Sequence, residues 1–581
     1  MILSLLLNSC HLIKPHKLNN KYNKGSIFSW DLCFDNARIK LIIVTCCFSL
    51  CFATVAYRLI IVAMNSDIKQ NRQASISNYR KEIIDRNGNL LAVNLPSSSL
   101  FANPQKVVDH EKCIERLSKI LPNLDKKKLL SELKSDKTFI WIKRDLLPKT
   151  QVEIFNLGLP GFDFEPEQKR VYTFGNLFSH IIGYVGRDFS GLAGLERYYD
   201  KFLNNQDEHE NNNKQGQAKA LELSIDVRLQ GILNEEIDKT IKEFKAIGAV
   251  GIIADPNNGE ILALVSKPDF DPHNPSLANS EELFNRASLG AYEMGSVFKS
   301  LTMAIGFDTK SITFHDAYDI TYMKIGRFQL KDTHPKRGWH SVAEIFLHSS
   351  NIGVSQIALE VGKINFKKYL KNLGLFDQLK IELPERATPL FPSDNRWNDL
   401  STATMSYGYG LSISPMHFVQ AMLPLVNGGY FHNLSLIKKS NIDTGIKVFE
   451  KETSNEMKKL FRLVVKEGTG RKADVKDYLV GGKTGTAEKL GGKQYLKNSR
   501  RSSFFGVLPA SNPKYVIYIM FDEPKGTKET FGFAGGGWTA APAVGRVLER
   551  MITLYGIKAV DENDKDVQDI INVDYRVNDA I

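Results

Sequence analysis

Beyond residue 64 this 581-residue chain contains a single cysteine, Cys113; Cys10, Cys33, Cys46, Cys47 and Cys51 all precede it. One thiol cannot close an intrachain disulfide, so the larger part of the chain must hold together by its core alone. Basic residues interleaved with aromatics are missing too. The formal charge is +11, but the 76 lysines and arginines are scattered among 65 acidic residues, which argues against nucleic-acid binding. Long apolar runs are nearly absent: one stands out, Leu41 to Tyr57, 17 residues without a charge, followed by Arg58 and a short apolar stretch from Leu59 to Met64.

What is present is ordinary for a folded protein, with 43% hydrophobic and 24% charged residues over a length that suits two to four domains. As a helix the 17-residue run spans roughly 25 Å at about 1.5 Å per residue, and Arg58 can extend its head group to the interface. A buried core helix or the apolar part of a signal peptide would share this composition. The run is long for a signal peptide and no small-x-small cleavage site stands out, so a retained anchor over 41–64 is the expectation. Lys14, Lys17, Lys21, Lys24, Arg38 and Lys40 precede it, against Asp31 and Asp35. Such a flank stays in the cytoplasm, which makes 1–40 a cytoplasmic segment and everything after about residue 64 exported. The apolar Met1–Cys10 run has no basic region before it and reads as an upstream extension.

Residues 65–203 mix short strand-like and helical stretches with turns such as Asp85-Arg-Asn-Gly88, as expected of a folded but irregular module. The stretch 204–220 is polar and rich in Asn, and reads as a linker. From 221 to 556 two strand pairs are predicted. Ala249–Ala254 and Glu260–Ser266 flank an Asp-Pro-Asn-Asn-Gly turn, and Ser503–Leu508 precedes Tyr515–Phe521. Helices are expected over Ser300–Phe307, Ile352–Leu373 and Ala541–Tyr555. The fold class is therefore α+β, an antiparallel sheet built from distant segments and covered by helices. The acidic tail, 557–581, is weakly patterned and reads as a mobile end.

Three short motifs fall in order along this last region: Ser296-Val-Phe-Lys299, Ser349-Ser-Asn351 and Lys483-Thr-Gly485-Thr486. Ser-x-x-Lys alone also occurs at Ser66, Ser131, Ser435 and Ser511, where nothing supports a nucleophile. Ser296 precedes an apolar helical run, with Lys299 on the same face. A serine hydroxyl needs a neighbour to take its proton, and a lysine in apolar surroundings can do so when burial and a second cation, here Lys483, favour its neutral amine. The alternative is a plain helix N-cap at Ser296.

Ser349 can pass a proton between Lys299 and a leaving group, and Asn351 can hold a substrate amide; a simple turn would also explain Ser-Ser-Asn. Lys483, Thr484 and Thr486 suit a carboxylate, and Gly485 leaves room for substrate to approach the backbone. The N–H groups of Ser296 and Thr486 could form an oxyanion hole. His273, His348 and His417 read as structural.

The three motifs together resemble those of penicillin-binding proteins and class A β-lactamases. The resemblance extends to Asn285-Arg-Ala287, Glu293-Met-Gly295, Leu223-Ser-Ile-Asp226, Asp255 to Ala263, Tyr407-Gly-Tyr-Gly410 and Ala540-Ala-Pro542. Arg80–Ala92 and Arg170–Tyr199 resemble the noncatalytic pedestal of class B penicillin-binding proteins, and the chain is most similar to their division-specific D,D-transpeptidase branch. Lys81, Thr173 and Met294 depart from the usual Gly, Pro and Pro, which bears on local turns rather than on chemistry.

The resemblance implies a serine acyltransferase that cross-links peptidoglycan stem peptides through Ser296 and binds β-lactams without a cofactor. It implies a single-pass inner-membrane protein at the septum, its catalytic domain periplasmic, working with a division glycan polymerase and other divisome proteins. An elongation-specific transpeptidase, a β-lactamase, and a noncatalytic β-lactam sensor or scaffold are the alternatives.

Overall fold

The computed structural model describes residues 41–61, 80–204, 220–441, 443–492 and 494–573. Leu41–Ile61 forms one helix, and among the described residues it is the single helix long and apolar enough to cross a membrane. The expected cytoplasmic segment, residues 62–64 of the expected anchor and nearly all of the polar linker lie outside the described residues.

The part from Tyr79 onward is a separate unit. Its N-terminal region, expected to be irregular, is organised by one long strand. β1 (Ile83–Ile84), β2 (Leu90–Ala102), β3 (Ile140–Leu146), β4 (Phe162–Tyr172) and β5 (Leu221–Glu222) form a five-stranded sheet in which β2 pairs antiparallel with β1, β3 and β4. The Asp85–Gly88 turn joins β1 to β2 as expected. The Asp85 carboxylate accepts the N–H groups of Asn87 and Asn89, both at 2.8 Å.

β5 pairs parallel with β1, so the chain re-enters this sheet after the linker before starting the next one. Beneath the sheet Arg80 and Glu196 are both fully buried. The guanidinium donates to Glu196 at 2.5 Å and to Asp200 at 2.8 Å, while Arg170 holds the other Glu196 oxygen at 2.8 Å. Buried charges persist only when paired in this way.

The departures from the family pattern fit their places. Lys81 lies with Nζ 4.1 Å from the Phe202 ring centroid, and the N–H of Thr173, which a proline would lack, donates to the Leu91 carbonyl.

α1 (Val227–Phe244), capped by the Asp226 carboxylate, leads into β6 (Gly248–Ala254) and β7 (Ile261–Lys267), the expected hairpin. Next come α2 (Lys299–Asp308), α3 (Val342–His348), α4 (Asn351–Val361), α5 (Lys363–Asn372) and α6 (Lys451–Lys466). The chain closes with β8 (Gly481–Gly491), β9 (Gln494–Leu508), β10 (Tyr515–Asp522), α7 (Ala540–Tyr555) and α8 (Lys565–Ile571). The second sheet runs β8-β9-β10-β6-β7, antiparallel throughout.

Period-2 alternation sorts its side chains into two layers. Val250, Ile252, Tyr518 and Phe505 pack with Phe298, Leu301, Phe346 and Phe461 on one face. Ala249, Ile253, Ile519 and Phe504 pack with Leu233 and Ile237 of α1 and Val544, Val547 and Leu548 of α7 on the other. Burial of both faces explains why these strands read as continuous apolar runs.

Two expectations change. The single helix expected over Ile352–Leu373 is two, because the chain turns at Gly362 with φ +78°. The tail is not free as far as residue 573. Ile571 is 3% exposed, Glu562 bridges Arg462 at 3.1 Å and Lys466 at 3.2 Å, and the Val560 N–H donates to the Asp477 carbonyl. Its acidic composition hides this, because its charges answer cations on α6.

Candidate active site

Ser296 lies in a 3-10 turn, Gly295–Phe298, that runs into α2. The turn is buried apart from Ser296 itself, which is partly exposed. The cap positions of the turn and of α2 fall on Met294 and Phe298, so Ser296 is not an N-cap. Gly295 has φ +61°, and a Cβ there would come within 2.9 Å of the Thr486 carbonyl oxygen on β8. On its other side the Gly295 N–H donates to the Gly408 carbonyl. Gly408 has φ +85°, and a Cβ there would lie 2.3 Å from the Gly295 oxygen. The Tyr407–Gly410 motif thus clamps the serine turn against the sheet. Met294, where the family pattern has proline, is buried, with the Tyr518 hydroxyl 3.6 Å from its sulfur.

Lys299 is 1% exposed. Its ammonium donates to the Ser349 carbonyl and, at 3.1 Å, to Ser349 Oγ. Ser349 ends α3 in the left-handed region with φ +60°, a conformation that costs a non-glycine residue on the order of 1 kcal/mol. That bend turns both of its oxygens onto Lys299.

Ser350 then caps α4, its Oγ accepting from the Gly353 N–H and donating to Asp332 at 2.7 Å. Asp332 also takes the N–H groups of Asn351 and Ile352, and the Asn351 side-chain amide donates to the Lys331 carbonyl at 2.9 Å. Asp332 escaped sequence reasoning. It acts through a hydroxyl and two backbone N–H groups 18 to 20 residues away, and no pattern marks it.

Lys483 is fully buried on β8. Its Nζ lies 5.3 Å from the Phe346 ring centroid, and Phe346 meets Phe461, which meets Phe505, the residue paired with Lys483 across the sheet. Burial pushes the amine down from 10.5 to about 7. Lys299 is held well below its ordinary value, first by burial and then by the charge of Lys483, with Asp332 opposing. The two lysines therefore act on each other through their charges.

Thr484 Oγ1 lies 2.5 Å from Thr469 Oγ1, and Thr486 Oγ1 accepts from the Gly536 N–H at 3.2 Å. Gly485 serves the protein's own packing, which corrects the reading that it makes room for substrate. A Cβ there would meet Ser503 Oγ at 2.5 Å and Val297 Cγ1 at 2.9 Å. Thr469 and the Gly535–Gly537 run were not singled out in the sequence. The three consecutive glycines were the available signal.

The structure therefore joins Lys299 directly to Ser349, places Asn351 beside Asp332 and Lys331, and sets Lys483, Gly485 and Thr486 on the strand against the Ser296 turn. The histidines have other occupations. His273 accepts from the Tyr172 N–H, and His417 is buried against Ser414 and Asp377. His348 lies 3.2 Å from Lys336 Nζ.

A serine on a clamped turn, a buried lysine held well below its ordinary pKa and a hydroxyl bonded to that lysine form a set suited to acyl transfer. A family model for the penicillin binding protein transpeptidase domain matches residues 249–549, and one for the penicillin-binding protein dimerisation domain matches 75–264. The chain belongs to the penicillin-binding protein transpeptidase family.

The probable peptidoglycan D,D-transpeptidase FtsI of Caulobacter vibrioides is 37% identical over 542 residues, 91% of this chain and 90% of that protein. The peptidoglycan D,D-transpeptidase FtsI of Escherichia coli K12 is 27% identical, over 85% and 86%. Stage V sporulation protein D of Bacillus subtilis is 31% identical, over 82% and 79%.

Proposed function

We propose that the chain is a peptidoglycan D,D-transpeptidase of septal wall synthesis, acting through an acyl-enzyme on Ser296. The observation that carries this reading is Lys299, buried, bonded to Ser349 and held well below its ordinary pKa by burial and by Lys483. As a neutral amine it can take the Ser296 proton.

Ser296 Oγ attacks the carbonyl carbon of the D-Ala-D-Ala bond. The C–N bond breaks, and the departing D-alanine amine takes the proton by way of Lys299 and Ser349. The Ser296 and Thr486 N–H groups hold the oxyanion. Lys483, Thr484 and Thr486 receive the terminal carboxylate, and Asn351 the stem-peptide amide. An amine of a second stem then attacks the ester, a new C–N bond forms, and the C–O bond to Ser296 breaks. β-Lactams enter by the same first step and stay attached.

The same reading divides the chain into a cytoplasmic segment, an anchor, a pedestal, a linker and a transpeptidase domain. It places the catalytic part in the periplasm at the septum, beside a division glycan polymerase. The names of the relatives in Caulobacter vibrioides and Escherichia coli favour the septal branch over the elongation branch.

Intact-mass spectrometry after exposure to a penicillin tests the chemistry. A stable adduct is expected on the native chain and none on Ser296→Ala, and equal masses would reject it. Depletion in cells should give filaments, whereas round cells would move the role to side-wall synthesis.

A further inference from the structure

The proposed chemistry leaves two motifs unused, Glu293 and the tyrosines of Tyr407-Gly-Tyr-Gly410. They converge three residues before the nucleophile. Glu293 Oε1 accepts from the Gly410 N–H at 2.7 Å and from the Tyr495 hydroxyl at 3.0 Å, which ties the β8–β9 hairpin and the 407–410 turn to the serine turn. The Tyr409 hydroxyl accepts from the Glu488 N–H at 3.0 Å, and Tyr407, Tyr409 and Tyr495 form a row with ring centroids 5.7 and 5.3 Å apart.

The second carboxylate oxygen takes no hydrogen bond from any described residue, and it is not one of the buried unpartnered atoms, so it meets solvent. The nearby Arg501 lies over the Tyr292 ring at 4.4 Å and 3.6 Å from Asp522. Burial holds the Glu293 carboxyl above its ordinary pKa, and the Arg501 charge offsets this only weakly. A half-buried carboxylate with one open oxygen beside a row of aromatic faces is the chemistry that receives an ammonium group.

The geometry points to Glu293, with Tyr409 and Tyr495, as the site that receives the protonated amine of the acceptor stem. This rests on the transpeptidase reading. The cation supplies the ion-pair partner that the half-buried carboxylate does not meet among the described residues. Before attack the amine sheds one proton to solvent. The neutral nitrogen then bonds to the ester carbon, the bond to Ser296 Oγ breaks, and the second proton returns to that oxygen through Lys299 and Ser349.

The test is a partition measurement on the full chain in detergent, with a small N-acyl-D-alanyl thioester as donor. Transfer to D-alanine, an amine protonated at neutral pH, and to methanol, an uncharged acceptor, is compared with hydrolysis. Both branches leave one acyl-enzyme, so partial misfolding cancels in the ratio. Glu293→Gln should lower the D-alanine ratio about tenfold, the loss of a charge-assisted contact worth about 1.4 kcal/mol, with the methanol ratio within twofold of the native one. A D-alanine ratio within twofold of native overturns the inference. So does an equal fall with methanol, which would make Glu293 a shaper of the cleft. Absence of any penicillin adduct on the native chain would instead remove the transpeptidase reading and this inference with it.

Discussion

Removing the charge of Lys483 should make the protein more stable and less active. Its amine has no exposure, and its only hydrogen bond among the described residues is a long one, 3.5 Å, to the Thr484 carbonyl. The fold lowers its pKa from 10.5 to about 7. At about 1.4 kcal/mol per pK unit, that gap sets an upper limit of about 4–5 kcal/mol on the cost of keeping the ammonium buried at neutral pH. Lys483→Met keeps the stem and drops the charge, and apolar replacements of buried charges recover about 1–4 kcal/mol.

The sign follows from a depressed lysine. The unfolded chain holds its proton up to about 10.5 and the folded chain only up to about 7, so the native protein loses stability as pH falls between these values and loses no more below. The variant's advantage is therefore full at pH 6, a rise in Tm on the order of 5 °C, and nearly gone at pH 10.5. Penicillin acylation should fall about 100-fold or more, the scale of losing a group that stabilises developing charge. Thermal unfolding of the full chain in detergent at pH 6, 8 and 10, beside acylation rates, measures both. A lower Tm at every pH, or an advantage that does not shrink toward pH 10, would refute the reasoning.

Asp332 raises the Lys299 pKa against the two effects that depress it, so Asp332→Asn should move the acid limb of the acylation–pH profile to lower pH; a limb that moves upward contradicts the assignment. The same change weakens the N–H bonds at the start of α4 and should cost about 1–3 kcal/mol in denaturant unfolding. Arg80→Ala leaves the fully buried Glu196 carboxylate with Arg170 as its remaining partner. A loss of about 3–5 kcal/mol is expected, and a loss under 1 kcal/mol would mean that water enters the cluster. Glu562→Ala should speed hydrogen exchange over Lys565–Ile571 while costing about 1 kcal/mol, since Glu562 is partly exposed; unchanged exchange would free the tail from Arg462.

Much of the transpeptidase domain was legible because its strands are continuous apolar runs bounded by turn residues: the expected bounds of β6, β7 and β10 hold to within a residue, whereas β9 begins at Gln494, well before the expected Ser503. The pedestal was not, because β2 is 13 residues long yet carries a polar Asn94–Ser99 stretch whose partners, β3 and β4, arrive 40 to 80 residues later. Gly362 was passed over inside an apolar pattern that suits a helix on both sides of it. The tail misled for the reverse reason. Its acidic residues look solvated until Arg462 and Lys466 are placed opposite them, and that pairing spans about 100 positions.

The site divides along the same line. Ser296, Lys299, Ser349 and Lys483 were readable as candidates for chemistry, because two hydroxyls and two amines in that order have few other uses together. Their geometry was not readable, because it is set by backbone: the left-handed Ser349, the Gly295 and Gly408 approach, and the Asp332 carboxylate on three donors around α4. Gly485 shows the distinction most directly. The motif suggested that its missing side chain admits a substrate, yet Ser503 and Val297 already occupy that space. The glycine presses β8 onto the turn that carries Ser296, so it fixes the spacing between nucleophile and strand before any substrate arrives. A motif residue can thus be required at its place for packing, with catalysis depending on it only through the distance that packing sets.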